Sequence, residues 1–183
     1  MKFSFTDEQE QIRTVVRRFL AEKSPTTEIR RLMATDEGWD RDTWRRLNSE
    51  LGLSAVHIPE AYGGQGLGFV ELAIVLEEMG RALLCAPYFA SVVLAANAIL
   101  NAGSEDQKHE LLPEIAAGET VATLAFAEDH GRWDGAGVAP TATPDGGAYR
   151  LAGTKSFWLD GHTADPSIVL ARAPGGAVAP VLG

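Results

Sequence analysis

Apolar residues recur three and four positions apart through the first 118 residues. Ile12, Val15, Val16, Phe19 and Leu20 share one helical face. Thr6-Asp7-Glu8-Gln9 forms a capping box that would open this helix. Pro25 ends it or begins the next, over Thr26 to Met33. Asp40 can cap a third helix with Trp44, Leu47 and Leu51 inward, and Gly52 stands where helices commonly stop. The run from Phe69 to Cys85 is apolar around most of its circumference, the pattern of a central helix in a bundle. Pro87 starts a further helix over Tyr88 to Leu100. Ser104-Glu105-Asp106-Gln107 is a second capping box, opening a short helix with Leu111, Leu112 and Ile115 and stopped by Gly118. The stretch from Gly52 to Gly66 is too rich in glycine for regular structure. Its glycines follow no strand and no Lys-Ser or Lys-Thr pair closes it, so it is not a phosphate loop.

Beyond Gly118 the period changes. Thr120 to Phe126, Ala136 to Thr143, Ala148 to Leu151, Ser156 to Leu159 and Ser167 to Ala171 read as short strands separated by turn residues. Pro144-Asp145-Gly146-Gly147 is a hairpin connection, and residues 173–183 are small and flexible in composition. The pattern predicts an α+β chain: an all-α helical bundle domain over residues 1–118, then a partial antiparallel β-domain over 119–183. Five short strands leave open edges that another segment or another chain must cover.

Composition narrows the functional classes. A net charge of -9 argues against nucleic acid, whose phosphates call for a basic surface. It leaves room for an anionic small molecule, which one or two local cations can hold. Cys85 is the single cysteine, so no disulfide can form within the chain, and the four scattered histidines show no metal-ligand spacing. Glu71, Glu77, Glu78 and Arg81 interrupt the longest apolar stretch, so no membrane span is expected. The N-terminus carries Asp7 and Glu8 where an export signal would be basic and then apolar, so a cytoplasmic protein is the expectation.

The chemistry-bearing residues gather after position 123. Two apolar runs end in polar, glycine-bearing bursts: Phe126-Ala127-Glu128-Asp129-His130-Gly131-Arg132-Trp133-Asp134, and Lys155-Ser156-Phe157-Trp158-Leu159-Asp160-Gly161. Strand ends of this kind commonly grip small ligands. Arg132 can match phosphate geometry or simply be solvated. Of Phe157 and Trp158, alternation along a strand lets only one face a given ligand.

Taken in order, several motifs resemble those of the acyl-CoA dehydrogenases. They are Ile58-Pro59-Glu60-Ala61-Tyr62-Gly63-Gly64-Gln65-Gly66, Gly103 with Gln107-Lys108 and Leu112-Pro113, Ala127-Glu128, and Gly153-x-Lys155 through Gly161-x-x-Ala164-Asp165. The resemblance implies an N-terminal helical domain and part of a middle β-domain. It also implies FAD as cofactor and an acyl-CoA thioester as substrate, dehydrogenated across its α,β bond. On this basis Phe126, Ala127, Phe157, Trp158 and Leu159 are candidates for cofactor binding, and Gly131, Arg132 and Trp133 for substrate binding. No residue inherits the catalytic base, which the family takes from a C-terminal bundle, and Glu128 is expected to hold its loop. No metal site is implied. Where the family usually carries threonines near the flavin, this chain has Ala127 and Leu159. Such departures are similar to those of bacterial members built from two different subunits, which serve fatty-acid and steroid breakdown. The expectation is therefore a homo- or hetero-oligomer of dehydrogenase-like chains. The rival readings are a non-catalytic subunit completing a partner's site, and a flavin oxidase or monooxygenase of the same architecture.

Overall fold

A computed structural model describes residues 4–182. They form two compact units. One runs to Ala86 and includes Ala116–Glu119; the other comprises Pro87–Ile115 and the residues from Thr120 onward.

The first unit is helical. Helix α1 (Asp7–Lys23) starts on its capping box, with the Thr6 hydroxyl accepting from the Gln9 N–H at 3.2 Å and the Gln9 side chain accepting from the Thr6 N–H at 3.0 Å. Helix α2 (Thr26–Leu32) follows Pro25 and buries Ile29 and Leu32. Helix α3 (Arg41–Leu51) is capped by Asp40, whose carboxylate accepts from the Thr43 N–H at 2.7 Å, and it ends on left-handed Gly52. The glycine-rich stretch after it is ordered by backbone pairing: Gln65 to Ala55, Gly66 to Ile58 and Leu67 to Val56, at 2.8–2.9 Å.

Helix α4 (Phe69–Arg81) packs on α1 and buries Leu72, Ile74, Val75, Glu78 and Met79. It stops four residues short of the sequence expectation. Leu83 turns left-handed at φ 49°, and the Leu83 and Leu84 N–H groups cap the carbonyls of Gly80 and Met79. This double bond pattern ends helices without a following proline. Glu78 shares the buried face of α4, where Arg17 donates at 2.6 and 3.0 Å, Arg81 at 2.8 Å and Arg13 at 3.4 Å. The Arg17 bonds, more than any other contact, hold its carboxyl down at a pKa of about 2.

The second unit joins helices to a sheet. Its first helix opens as a π-helical segment, Phe89–Ala95, and continues as α5 (Ala96–Ala102). Helix α6 (Glu105–Ala117) starts on the second capping box, the Ser104 hydroxyl accepting from Gln107 N–H at 3.2 Å and the Gln107 side chain from Ser104 N–H at 2.9 Å. The strands are β1 (Thr123–Ala125), β2 (Thr141–Asp145), β3 (Ala148–Ala152), β4 (Ser167–Arg172) and β5 (Val178–Leu182). β4 is central. It pairs parallel with β1 from Thr123↔Ser167, antiparallel with β5 along Ile168–Arg172, and meets β2 in parallel at Thr141↔Arg172. β2 and β3 form the expected hairpin, closed by Gly146 and Gly147 at φ 59° and 92°, the two left-handed positions a tight hairpin needs.

The helix-then-strand order of the α+β expectation stands, with three corrections inside the sheet. The sheet is mixed instead of antiparallel throughout, because the long excursion from residue 126 to 166 returns the chain alongside β1 in the same direction. Ser156–Leu159 is not a strand: Phe157 and neighbouring Asp160 sit at φ 52° and 53°, which no strand accommodates. The small residues after 173 do include a strand, β5. It pairs only with β4, and Pro180 is tolerated on such an edge.

Candidate functional site

The site belongs to the second unit and is made by the two polar bursts at the ends of β1 and β3. They are bonded to each other. The Ser156 N–H donates to Ala127 O at 2.9 Å, the Thr123 hydroxyl to Leu159 O at 2.6 Å, and the Asp165 N–H to Val121 O at 2.9 Å. Thr123 is fully buried, so the loop after β3 is tied to the interior of the sheet.

A buried ion pair lies between the loops. The Lys155 ammonium donates to Glu128 Oε1 at 2.7 Å and reaches Phe126 O at 3.4 Å, and both side chains are almost wholly out of solvent. Glu128 also accepts from the Ala139 N–H at 3.0 and 3.3 Å, and its Oε2 stands 3.4 Å from His130 Nε2. Lys155 first, then the Ala139 N–H, holds the Glu128 carboxyl below the ordinary carboxylate range. His130 fixes the turn that follows. The Arg132 N–H donates to Nδ1 at 3.1 Å, so Nε2 carries the proton and donates to Gly137 O at 2.7 Å. Asp134 accepts from the Gly137 N–H at 3.0 Å and from the Arg132 guanidinium at 2.8 Å.

These ties frame an apolar hollow of about 520 Å³. Phe126, Ala127, Gly131, Trp133, Phe157 and Leu159 line it, so six of the eight sequence candidates come together. The other two do not. Trp158 lines a separate hollow with Pro140, Leu151 and Lys155, its indole against Gly161. Arg132 turns to Asp134 at the surface. The Phe157 backbone turns left-handed and leaves the residue 82% exposed; Trp133 is 81% exposed and stands edge-to-face with Phe126, centroids 5.2 Å apart.

Three further contributors were not assigned to a site from sequence. Phe89 and Leu94, from the π-helical segment, complete the lining, and a run of apolar helix residues gives no sign of which faces a ligand. Lys155 was given no role of its own within the second burst; its partner lies 27 positions away, beyond any local pattern. Glu128 does hold its loop, as the sequence suggested. Among the described residues no cluster of three or more His, Cys, Asp or Glu could hold a metal ion, and no helix is long and apolar enough to cross a membrane.

The family described as acyl-CoA dehydrogenase, N-terminal domain, matches residues 6–119. The chain belongs to the acyl-CoA dehydrogenase family. It is 33% identical over 177 residues to a mitochondrial isovaleryl-CoA dehydrogenase of Pongo abelii, covering 94% of this chain and 41% of that one. Among solved structures, a variant of the Tcur3481-Tcur3483 steroid ACAD superposes with a TM-score of 0.83 at 34% identity, over 96% of this chain and 47% of that one. An acyl-CoA dehydrogenase complexed with FAD from Bacillus anthracis gives 0.83 at 30% identity, over 98% and 31%. The chain thus spans about half the length, or less, of these family members.

Proposed function

We infer that this acyl-CoA dehydrogenase chain contributes one wall of a flavin and acyl-CoA site in a cytoplasmic assembly, and that the base for α,β-dehydrogenation comes from elsewhere. The observation that carries this is the state of Glu128, the one carboxylate lining the hollow. Lys155 and the Ala139 N–H occupy its oxygens, and its lowered pKa makes it a poor proton acceptor. Its work is to hold two loops in place.

The flat apolar surfaces of Phe126, Ala127, Phe157 and Leu159 fit the face of an isoalloxazine ring. Their side chains offer no hydrogen bond, so the polar edge of such a ring would rely on backbone groups or a partner chain. When bound, FAD supplies the hydride acceptor. The chain's own residues orient the ring and exclude water from one side, while Gly131 and Trp133 border the space left for the thioester. A two-chain assembly is supported by the likeness to a steroid ACAD whose name joins two components, and by the absence of side-chain donors at Ala127 and Leu159.

The test mixes the purified chain with FAD and a series of acyl-CoA thioesters under anaerobic conditions and follows the flavin absorbance. The expected result is no bleaching with the chain alone, and bleaching with enoyl product once a dehydrogenase chain carrying an inward-facing glutamate is added. Bleaching by the chain alone would overturn the reading.

A further inference from the structure

The loop between β1 and β2 carries Gly131 and Trp133 to the hollow, and its only regular structure is a single 3-10 turn at Gly135–Gly137. Side chains hold it instead. At its base Lys155 bonds Glu128, whose carboxylate also takes the Ala139 N–H. On its far side the Arg172 guanidinium donates to Val138 O at 2.6 Å and to Gly135 O at 2.8 Å. Asp134 takes the Gly137 N–H and pairs with Arg132. His130 bridges the tip: Nδ1 accepts from the Arg132 N–H at 3.1 Å, and Nε2 donates to Gly137 O at 2.7 Å. The ring fits so closely that a Cβ on Gly137 would stand 3.0 Å from its Cε1.

These ties answer differently to pH. Lys155, more than any other contact, holds the Glu128 carboxyl below the ordinary range, and Arg132 does the same for Asp134, so both stay ionised in mild acid. A guanidinium keeps its charge throughout. Imidazole is the side chain that gains a proton near neutrality, and gaining it turns Nδ1 from an acceptor into a donor. Two N–H groups then face each other across the 3.1 Å that a hydrogen bond spans in the neutral form, and the Arg132 N–H loses its partner. Nε2 stays a donor, with Gly137 O at 2.7 Å and Glu128 Oε2 at 3.4 Å. The charged groups around the ring are Glu128 with Lys155 behind it, the Arg132–Asp134 pair, and Arg172 on the Gly135 and Ala136 carbonyls. Of these the Glu128 carboxylate reaches the ring, so a charged imidazole is drawn toward it and off the Arg132 N–H. Gly131, at φ 71°, is the joint between His130 and Arg132, and glycine there lets the backbone turn.

We propose that His130 is a positioning residue whose neutral ring holds the Gly131–Trp133 turn against the hollow, and that its protonation releases this turn. The wall is then formed above the His130 titration and loosened below it. The consequence for ligand binding rests on the reading of Gly131 and Trp133 as bordering the thioester; the release of the turn does not.

The test follows the full 15N-labelled chain by NMR from pH 8 to pH 5. It reads the His130 ring nitrogens and the exchange protection of the Arg132 amide, corrected for the ordinary pH dependence of exchange. Arg132 protection is expected to fall roughly fivefold, the scale of one lost hydrogen bond, with the same midpoint as the His130 ring. The Ala139 amide, held by Glu128, should keep its protection. His130→Ala should leave Arg132 unprotected at every pH. His130→Asn, whose side-chain oxygen can stand in for Nδ1 and does not titrate, should keep it protected at every pH. The proposal is overturned if Arg132 protection ignores the His130 titration, if Ala139 loses protection in step with it, or if either variant keeps the wild-type pH dependence. Octanoyl-pantetheine, a thioester without titrating phosphates, is then added with FAD. Its binding should weaken roughly fivefold below the His130 midpoint in wild type and stay level in His130→Asn. If the turn releases while thioester binding stays level or is absent, the reading of Gly131 and Trp133 as thioester neighbours falls, and the role of His130 stands.

Discussion

Thr123→Val isolates one tie between the sheet and the site. Valine has nearly the shape of threonine, so packing around this fully buried position is kept and only the hydroxyl is lost. That hydroxyl donates to Leu159 O at 2.6 Å. A buried acceptor deprived of its donor costs about 1–3 kcal/mol. The bond is only partly buried, so the lower end, about 1 kcal/mol, applies. The loop keeps its other ties, at Ser156 to Ala127 and Lys155 to Glu128, so it should loosen without detaching. A loss of about 1 kcal/mol raises the open population roughly fivefold. Amide hydrogen exchange of residues 156–161 should quicken by that factor, with little change in β2 and β3. Thr123→Ser retains the hydroxyl but loses a methyl; it should lower global stability by about 0.8 kcal/mol and leave exchange of this loop unchanged. The reasoning is wrong if the serine and valine variants loosen the loop equally, or if neither does.

Other consequences follow from the ion pairs and from Gly161. Glu78 titrates at about 2 against an ordinary 4.5, so its pairs stabilise the helical unit fully above about 4.5 and are lost as pH falls toward 2; the urea midpoint read from Trp39 and Trp44 fluorescence should fall through that window, and Glu78→Gln should flatten the slope. At neutral pH Glu78→Gln should cost about 1.5–3 kcal/mol, the range for bonds to a charged group, because the Arg17 and Arg81 heads are half exposed and can be rehydrated; a stability equal to wild type would refute this. Lys155→Met removes the main cause of the lowered Glu128 pKa, so the Glu128 carboxyl should titrate higher by NMR, whereas an unmoved titration would assign the shift to the Ala139 N–H. Gly161→Ala would set a methyl 2.5 Å from the Trp158 ring, so Trp158 fluorescence should shift to that of a displaced, more solvated indole; an unchanged spectrum would refute the contact.

Much of the helical unit was legible in the chain because its determinants are local. Both capping boxes, the Asp40 cap and the Gly52 stop each act within a few residues, and apolar spacing placed the buried Val16, Phe19 and Leu20 of α1 and Trp44 and Leu47 of α3, though it also turned inward Val15, which is exposed, and Leu51, which is half-buried. The same holds for the β2–β3 hairpin, which two adjacent glycines specify. The polar bursts were visible as bursts, and the family resemblance supplied their expected roles. Tertiary structure decided the rest. Only the folded chain shows that β1 runs parallel to β4 and that β5 covers the other edge of β4, since pairing partners lie more than 40 residues apart in one case and set a short edge strand in the other. Only it separates Phe157 from Trp158, because the left-handed turn at Phe157 replaces the strand alternation that sequence patterning assumed. It also recruits Phe89 and Leu94 from a distant helix and closes Lys155 onto Glu128. Period and capping are properties of neighbours along the chain; a hollow depends on which remote neighbours the fold brings together, and no local pattern encodes that.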